Sequence, residues 1–222
     1  MDIALIPGLW LDGASWGEVS APLRAAGHTV HEVTRSGDTL QEQVDSVVAL
    51  VDSIDGELVL AGHSGGGVIA WAAADARPDR ISRVIFVDSG PLAAGGVIND
   101  ELPAVDGKIG LPDWSVFDDI DLVDLTDDLR DNFRSIAFAE PERVPTDKQV
   151  LSNPARFDVP VTLISCEFTP EELKNWVKQG APQVSELKQI TDYEIVHLPT
   201  GHWPQFTRPA DLAAAIDAAV TR

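Results

Sequence analysis

The stretch VLAGHSGGGVIAWAAA, residues 59–74, begins as an apolar β-branched run and ends in small helix-forming residues. Its middle, from Gly62 to Gly66, fits the pattern G-x-S-x-G. Between a strand and a helix, this pattern places a serine on a tight, strained turn with its hydroxyl exposed. The flanking glycines remove side chains that would collide with the strand and the helix. The stretch therefore predicts Ser64 as a nucleophile.

Two other interpretations of this turn are a glycine-rich phosphate loop and a plain tight turn. A Walker loop ends in Gly-Lys-Ser/Thr, and no lysine lies between Val59 and Ala76. In the nucleophile interpretation, the N–H of Gly65 lies at a helix N-terminus, where it faces a developing oxyanion. We therefore expect Gly65 to supply one donor of an oxyanion hole.

Composition limits the class of protein and its partners. With 222 residues, of which 44% are hydrophobic, the chain is expected to form one domain, 1–222, with one core. A formal net charge of −20 disfavours nucleic acids and anionic membrane surfaces, which bind through Lys and Arg. The start MDIALIPG lacks the basic residues of a secretory signal. We expect a cytoplasmic protein with a small-molecule substrate and no metal or cofactor, and the oligomeric state stays open.

Six short β-branched runs alternate with helical patterns along the chain. This rhythm predicts an α/β domain with a mostly parallel sheet flanked by helices. Thr39 to Glu42 form a capping box before an amphipathic helix, and Pro209 introduces a closing helix. The six runs are DIALIP, HTVHEVT, ELVLAG, RVIFVDS, VTLISCE and YEIVHLP.

The alternation breaks between residue 91 and about residue 155. This segment is acidic and carries a helical stripe, so we expect a helical cap insertion, 91–155, with no strand of its own. Its run DDIDLVDLTDD lacks the Gly and the terminal Glu of a calcium-binding EF-hand loop, and a solvated helix face is expected there. The stripe consists of Leu122, Leu125, Leu129, Phe133 and Ile136.

A serine nucleophile needs a base, and His202 has the expected setting. It lies just beyond the strand pattern YEIVHLP, in a glycine-containing turn near the C-terminus, which fits the chain order Ser…acid…His. We expect His63, beside Ser64, to point elsewhere. Surface or packing roles are expected for His28, His31 and His197.

Two carboxylates are alternatives for the third catalytic member. Asp88 ends the strand RVIFVD, and Glu167 lies in the loop after VTLIS. Asp88 is slightly favoured because ligands bind at the carboxyl ends of strands in open α/β sheets. A turn-stabilising Asp and an exposed loop charge are the corresponding non-catalytic roles. The lone Cys166 is interpreted as packing rather than as a nucleophile.

The first strand ends in Ile6-Pro7-Gly8-Leu9-Trp10, so an exposed N–H after Gly8 lies where it meets the serine turn. The N–H of Leu9 is our choice for the second oxyanion donor. Aromatic residues are expected to form apolar pocket walls, with internal packing as the alternative. These residues are Trp10, Trp114, Phe117, Phe133 and Phe138.

The segments GHSGGG, IPGLWLDGASW and TGHWPQFTRP together resemble the α/β-hydrolase superfamily, and the likeness extends over nearly the whole chain. The ends are similar to the small esterase and hydroxynitrile-lyase branch, which opens with HGxW, although Pro7-Gly8 replaces the HG here. The resemblance implies an eight-stranded α/β-hydrolase fold with a cap after the sixth strand. It also implies Ser64 and His202 as catalytic residues and the amides of Leu9 and Gly65 as the oxyanion hole. Residues 166–170 depart from the family's usual Asp-bearing turn.

These observations predict a serine hydrolase that cleaves a carboxylic ester, lactone or thioester of a small, uncharged or apolar molecule through an acyl-enzyme. One alternative is a hydroxynitrile-lyase-like or retro-aldol lyase that uses the same Ser and His. Another is a ligand receptor with little turnover on the same fold. A lyase would need a cation in its pocket, and the inserted segment offers Lys108, Arg130, Arg134, Arg143 and Lys148.

Overall fold

The chain forms eight strands in a computed structural model that describes residues 1–222. Six of them build one parallel sheet in the order β2-β1-β3-β4-β7-β8, and the other two form a separate antiparallel pair. The mostly parallel sheet is confirmed, but it has six strands where the resemblance implied eight. The strands are β1 (Asp2–Ile6), β2 (Thr29–Glu32), β3 (Leu58–His63), β4 (Ile81–Val87), β5 (Lys108–Ile109), β6 (Glu140–Pro141), β7 (Val161–Ser165) and β8 (Tyr193–His197).

Helices cover both faces of the sheet, so the central strands are apolar on both sides. On β1, Ile3 and Leu5 pack with α1 and α8, while Ala4 and Ile6 face the cluster that contains α2 and α3. No helix combines the length and the hydropathy that a bilayer crossing requires. The helices are α1 (Gly17–Ala25), α2 (Leu40–Ser53), α3 (Gly65–Ala76), α4 (Asp127–Ile136), α5 (Arg143–Thr146), α6 (Pro170–Gln179), α7 (Pro204–Thr207) and α8 (Pro209–Val220).

The helix starts predicted from capping residues are confirmed. The Thr39 hydroxyl accepts from the Glu42 N–H at 3.1 Å, and the Glu42 carboxylate accepts from the Thr39 N–H at 3.1 Å. The same reciprocal pair joins Thr169 and Glu172 at the start of α6. These local bonds satisfy N–H groups that a helix leaves without partners, so the sequence alone determines where both helices begin.

The segment between β4 and β7 differs from its expected form in two ways. It contains the short antiparallel pair β5–β6, although no strand was expected there. The helix α4 begins at Asp127, so the first part of the predicted stripe and of the acidic run forms turns. The carbonyls of Asp121 and Val123 accept from the N–H groups of His202 and Gly201, at 2.8 and 3.1 Å, instead of continuing a helix.

The chain is closely packed at the junction of β3 and α3. A Cβ added to Gly62 would lie 2.4 Å from the carbonyl oxygen of Gly66. A Cβ added to Gly66 would lie 2.5 Å from the carbonyl oxygens of Ile6 and Pro7 at the end of β1. Since backbone atoms cannot move aside cheaply, only glycine allows α3 to start directly against the sheet.

Gly62→Ala is expected to lower the free energy of unfolding by about 1–3 kcal/mol, because the added methyl group overpacks this junction. Gly110→Ala is the matched control, since an added Cβ there meets nothing within 4 Å. Urea denaturation followed by circular dichroism measures both. Equal free energies of unfolding for the two variants would contradict the close approach.

Candidate active site

Ser64 lies on the turn between β3 and α3 with a φ of 52° and a ψ of −124°. A non-glycine residue in such a region costs about 1–3 kcal/mol and persists only where its surroundings hold it. Here the Ser64 N–H donates to the Val87 carbonyl at 3.1 Å, and the Ser89 hydroxyl donates to the Ser64 carbonyl at 2.7 Å. The residues around the end of β4 therefore hold the strained turn in place.

His202 connects this serine to a carboxylate. Its Nε2 lies 3.0 Å from Ser64 Oγ, and its Nδ1 lies 2.6 Å from Asp88 Oδ2. A nucleophile, a base and an orienting acid within hydrogen-bond reach of one another are the requirement for an activated hydroxyl. The structure thus brings together three residues that are far apart in the sequence.

His63 forms a hydrogen bond with the backbone of His202. Its Nε2 donates to the His202 carbonyl at 2.6 Å, and its Nδ1 accepts from the Gln205 side-chain amide at 3.3 Å. Burial and the neighbouring His202 lower the pKa of His63 to about 3, so the ring stays neutral. No local pattern could reveal this contact, because the partner of His63 is a backbone atom 139 residues away.

Both candidate acids lie beside the same nitrogen of His202. Asp88 Oδ2 is at hydrogen-bonding distance from Nδ1, whereas Glu167 Oε1 lies 3.6 Å from it, too far for a hydrogen bond. The other oxygen of Asp88, Oδ1, accepts from the Cys166 N–H at 2.8 Å. Asp88 is thus oriented from both sides, toward His202 and toward the end of β7.

Burial and nearby charges shift the pKa values of the two carboxyl groups in opposite directions. Burial disfavours the charge of Asp88, but the His202 hydrogen bond holds the pKa of Asp88 below its ordinary value. Burial raises the pKa of Glu167 to about 7, with His202 opposing the shift and Asp88 adding to it. Burial disfavours the His202 imidazolium, yet its contacts with Asp88 and Glu167 raise its pKa. Asp88 is therefore a carboxylate at neutral pH, whereas Glu167 titrates there.

Two backbone N–H groups lie close to the serine. Gly65 is the first residue of α3, where a helix offers no acceptor for the N–H. A Cβ added to Gly65 would lie 3.5 Å from Leu9 Cδ2, and one added to Gly8 would lie 3.1 Å from Ser64 Cβ. The Leu9 N–H donates to no protein atom. Both N–H groups expected as oxyanion donors thus border the turn.

Two buried charges that the sequence analysis did not single out hold the loop that contains Leu9. Arg35 donates to the Gly8 carbonyl at 2.8 Å and forms an ion pair with Glu140 at 2.5 Å. Glu140 in turn accepts from the Trp10 N–H at 3.1 Å. Neither residue belongs to a motif, and they lie 105 positions apart, so no local signal could have revealed them.

Asp88 lines two cavities. The one beside Ser64 has a volume of about 240 Å³, and Gln183 contributes a polar part of its lining. The other, of about 200 Å³, lies beside His202 and Glu167 and also includes Gln183. The apolar residues that line the first cavity are Val68, Pro91, Leu92, Val97 and Ile98.

The aromatic residues expected as pocket walls line neither cavity. Phe133 is fully buried, and its ring centroid lies 5.5 Å from that of Trp114 and 5.4 Å from that of Trp203. Phe117 lies edge-on to Trp203 and to Trp10, whereas Phe138 is 42% exposed. Edge-to-face ring pairs stabilise one another, so these rings pack together within the inserted segment and against the His202 loop.

The remaining sequence candidates lie outside the serine–histidine contact. Cys166 is buried, and burial with the nearby Asp88 raises the pKa of its thiol, which disfavours the reactive thiolate. His28 and His31 bind Asp217 and Asp2 through their Nε2 atoms, at 2.7 and 2.8 Å. The cations of the inserted segment do not line either cavity: Lys108, Arg130, Arg134, Arg143 and Lys148.

Comparison with known proteins identifies the family to which the fold belongs. A model of the alpha/beta hydrolase family matches residues 3–215. A solved extracellular alpha/beta-hydrolase from a Paenibacillus species superimposes with a TM-score of 0.79 at 23% identity, covering 99% of this chain and 98% of that one. That protein is described as sharing structural and functional homology with tobacco salicylic acid binding protein 2.

Two sequence relatives are similar over shorter stretches. Lipase LipV of Mycobacterium tuberculosis (strain ATCC 25618 / H37Rv) is 32% identical over 77 residues, which are 34% of this chain and 28% of the lipase. A carbendazim hydrolyzing esterase of Nocardioides sp. (strain SG-4G) is 26% identical over 100 residues, 40% of this chain and 41% of the esterase. Each alignment covers less than half of the relative's length.

Glu167→Gln is expected to lower the pKa of His202, because a neutral amide removes one of the two negative charges that stabilise the imidazolium. Asp88→Asn should lower it further, since Asp88 is the closer group. Titration of the His202 ring nitrogens by NMR measures both. Glu171→Gln on the exposed first turn of α6 is the control. A His202 pKa equal in all three variants would show that neither carboxylate acts on it.

Proposed function

Since the chain belongs to the alpha/beta hydrolase family, we propose that it hydrolyses carboxylic esters of small, uncharged or apolar molecules through an acyl-enzyme on Ser64. The observation that carries this proposal is the unbroken hydrogen-bond series from Asp88 through His202 to Ser64 Oγ, beside a partly apolar cavity. The relatives whose names include lipase and esterase support ester hydrolysis as the reaction class.

In the first half of the reaction, Ser64 Oγ attacks the ester carbonyl while His202 Nε2 takes its proton. The carbonyl oxygen becomes an oxyanion that accepts from the N–H groups of Leu9 and Gly65. Collapse of this intermediate breaks the ester C–O bond, and the imidazolium gives its proton to the departing alkoxide. In the second half, His202 takes a proton from water as the water oxygen attacks the acyl-enzyme carbonyl. The bond from the acyl carbon to Oγ then breaks, the imidazolium returns its proton to Ser64 Oγ, and the carboxylic acid leaves.

Asp88 orients the imidazole and stabilises the imidazolium in both halves. Its hydrogen bond fixes the proton on Nδ1, so Nε2 faces Ser64 as the acceptor. Glu167 adds a second charge beside the same ring when it ionises near neutral pH. The proposal therefore assigns the orienting role to Asp88 and a modulating role to Glu167.

The cavity beside Ser64 indicates the size and charge of the acyl group. Its volume of about 240 Å³ and its mixed lining, in which Val68, Leu92 and Ile98 form part of the apolar side, suit a short, uncharged acyl chain. Anionic acyl groups are disfavoured, since Asp88 lines this cavity and Glu167 lies close by. The lyase alternative needs a cation near the leaving anion, and neither cavity is lined by Lys or Arg.

Ser64→Ala and His202→Ala are expected to abolish hydrolysis of p-nitrophenyl butyrate. Asp88→Asn should lower kcat by about 10⁴-fold, because the imidazole loses its orienting acceptor. Glu167→Gln should cost less than about 10-fold, since its carboxylate makes no hydrogen bond to Nδ1. Steady-state kinetics at fixed pH measures these effects. A larger loss in Glu167→Gln than in Asp88→Asn would reverse the assignment, and an active Ser64→Ala would end the proposal.

Ile98→Ala is expected to shift the acyl preference toward longer chains, because it removes part of the cavity wall beside Gly65. The ratio of kcat/KM for p-nitrophenyl octanoate over butyrate should rise about 10-fold. The control is Ile136→Ala, since Ile136 lies on α4 and lines neither cavity. An unchanged ratio would mean that the acyl chain lies elsewhere.

A further inference from the structure

We propose that the buried Arg35–Glu140 ion pair is a positioning device for the oxyanion hole, an inference that rests on the proposed function. Arg35 follows β2, and Glu140 belongs to β6 in the inserted segment. Their side chains meet at the loop from Gly8 to Leu11 and contact its backbone at three points. Neither group touches the reacting atoms, so the pair acts through the Leu9 N–H.

The peptide group between Gly8 and Leu9 connects the ion pair to the proposed oxyanion donor. The carbonyl of Gly8 and the N–H of Leu9 belong to the same planar, trans peptide group and point in opposite directions. Arg35 Nη2 donates to this carbonyl at 2.8 Å. Because the group is planar, holding the carbonyl also holds the Leu9 N–H, in a loop that packs against Ser64. A cation on the carbonyl also polarises the peptide and strengthens its N–H as a donor.

The neighbouring peptide groups are held by the same ion pair. The Trp10 N–H donates to Glu140 Oε1 at 3.1 Å, so this group is not available to an oxyanion. Arg35 Nη2 also donates to the Leu11 carbonyl at 3.3 Å. Trp10 itself has a φ of 66°, an uncommon value that such contacts stabilise. The loop is therefore held on both sides of Leu9, whose own N–H donates to no protein atom.

The burial of the ion pair indicates that it contributes little to the free energy of unfolding. The side chains of Arg35 and Glu140 are 3% and 0% exposed. Arg35 Nε and Glu140 Oε2 have no hydrogen-bond partner, so the pair is only partly compensated for its loss of water. A buried ion pair of this kind is often replaceable by apolar residues without loss of stability. A role in holding the loop accounts for keeping both charges.

The decisive variant is the double substitution Arg35→Met and Glu140→Met, which removes both charges together and leaves neither unpaired. It is expected to fold with a Tm at or above that of the wild type. Its kcat for p-nitrophenyl butyrate should fall about 10- to 100-fold through misplacement of the Leu9 N–H. Its KM should change by less than about 3-fold, because the donor acts mainly in the transition state.

An alkyl trifluoromethyl ketone gives a readout that a purely structural role would not move. Such a ketone adds Ser64 Oγ to its carbonyl and places an oxyanion in the hole, as the transition state does. Its affinity for the double variant should fall by the same factor as kcat/KM. A merely loosened fold would weaken binding of the ketone and of its ground-state methyl ketone analogue alike.

Glu140→Gln is expected to keep kcat and lose stability, the reverse of the double variant. The amide oxygen still accepts from the Trp10 N–H and from Arg35, so kcat should stay within about 3-fold of the wild type. Its Tm should fall, because Arg35 then lies buried without a counter-charge. Val47→Ala, a truncation of a fully buried residue on α2, is the control for lost stability with retained kcat.

Three results separate this inference from the proposed function. Ser64-dependent hydrolysis with the expected losses in the double variant supports both. Ser64-dependent hydrolysis with kcat unchanged in the double variant, or with its loss confined to KM, overturns the positioning role alone. Hydrolysis that does not depend on Ser64 overturns the proposed function and the inference with it.

Discussion

The positive φ angle of Ser64 is the constraint on which the arrangement of the site depends. It turns the chain from β3 into α3 within one residue, and glycines at 62 and 66 permit the close approach that results. The turn is held by residues at the end of β4: Val87 and Ser89 bind its backbone, and Asp88 between them reaches His202. One short segment therefore fixes both the nucleophile and the acid.

The base is fixed by a different part of the molecule. The N–H of His202 binds the inserted segment at Asp121, and its carbonyl binds His63 on β3. The core thus positions the nucleophile, whereas the core and the inserted segment share the positioning of the histidine. The Arg35–Glu140 pair likewise joins the core to the inserted segment, at the loop from Gly8 to Leu11. If the inserted segment moved, it would disturb His202 and the loop from Gly8 to Leu11 together.

The sequence predicted the features that local patterns determine. Six strands, the capping box at Thr39 and the serine turn all arise from residues adjacent in the chain, and each lies where it was expected. The contact between Ser64 and His202 followed from chain order and strand position. The sequence left Asp88 and Glu167 as alternatives for the acid, and the structure distinguishes them by their distances to Nδ1 and by the opposite shifts of their pKa values.

Features that depend on long-range packing could not be predicted. Aromatic residues such as Phe133 have the same sequence signature whether they line a pocket or pack against Trp203. The number of strands in the sheet was inferred from resemblance, and the chain forms six there. The pair Arg35–Glu140 joins two positions outside any motif, and its contact with the Gly8 carbonyl is visible only in the folded chain.

The central claim is that Ser64 forms a covalent acyl intermediate, and rapid acid quench during turnover of p-nitrophenyl butyrate tests it directly. Mass spectrometry of the quenched, digested protein should find a butyryl group on the peptide that contains Ser64. Turnover with this peptide unmodified, or with the butyryl group on Cys166 instead, would contradict the account.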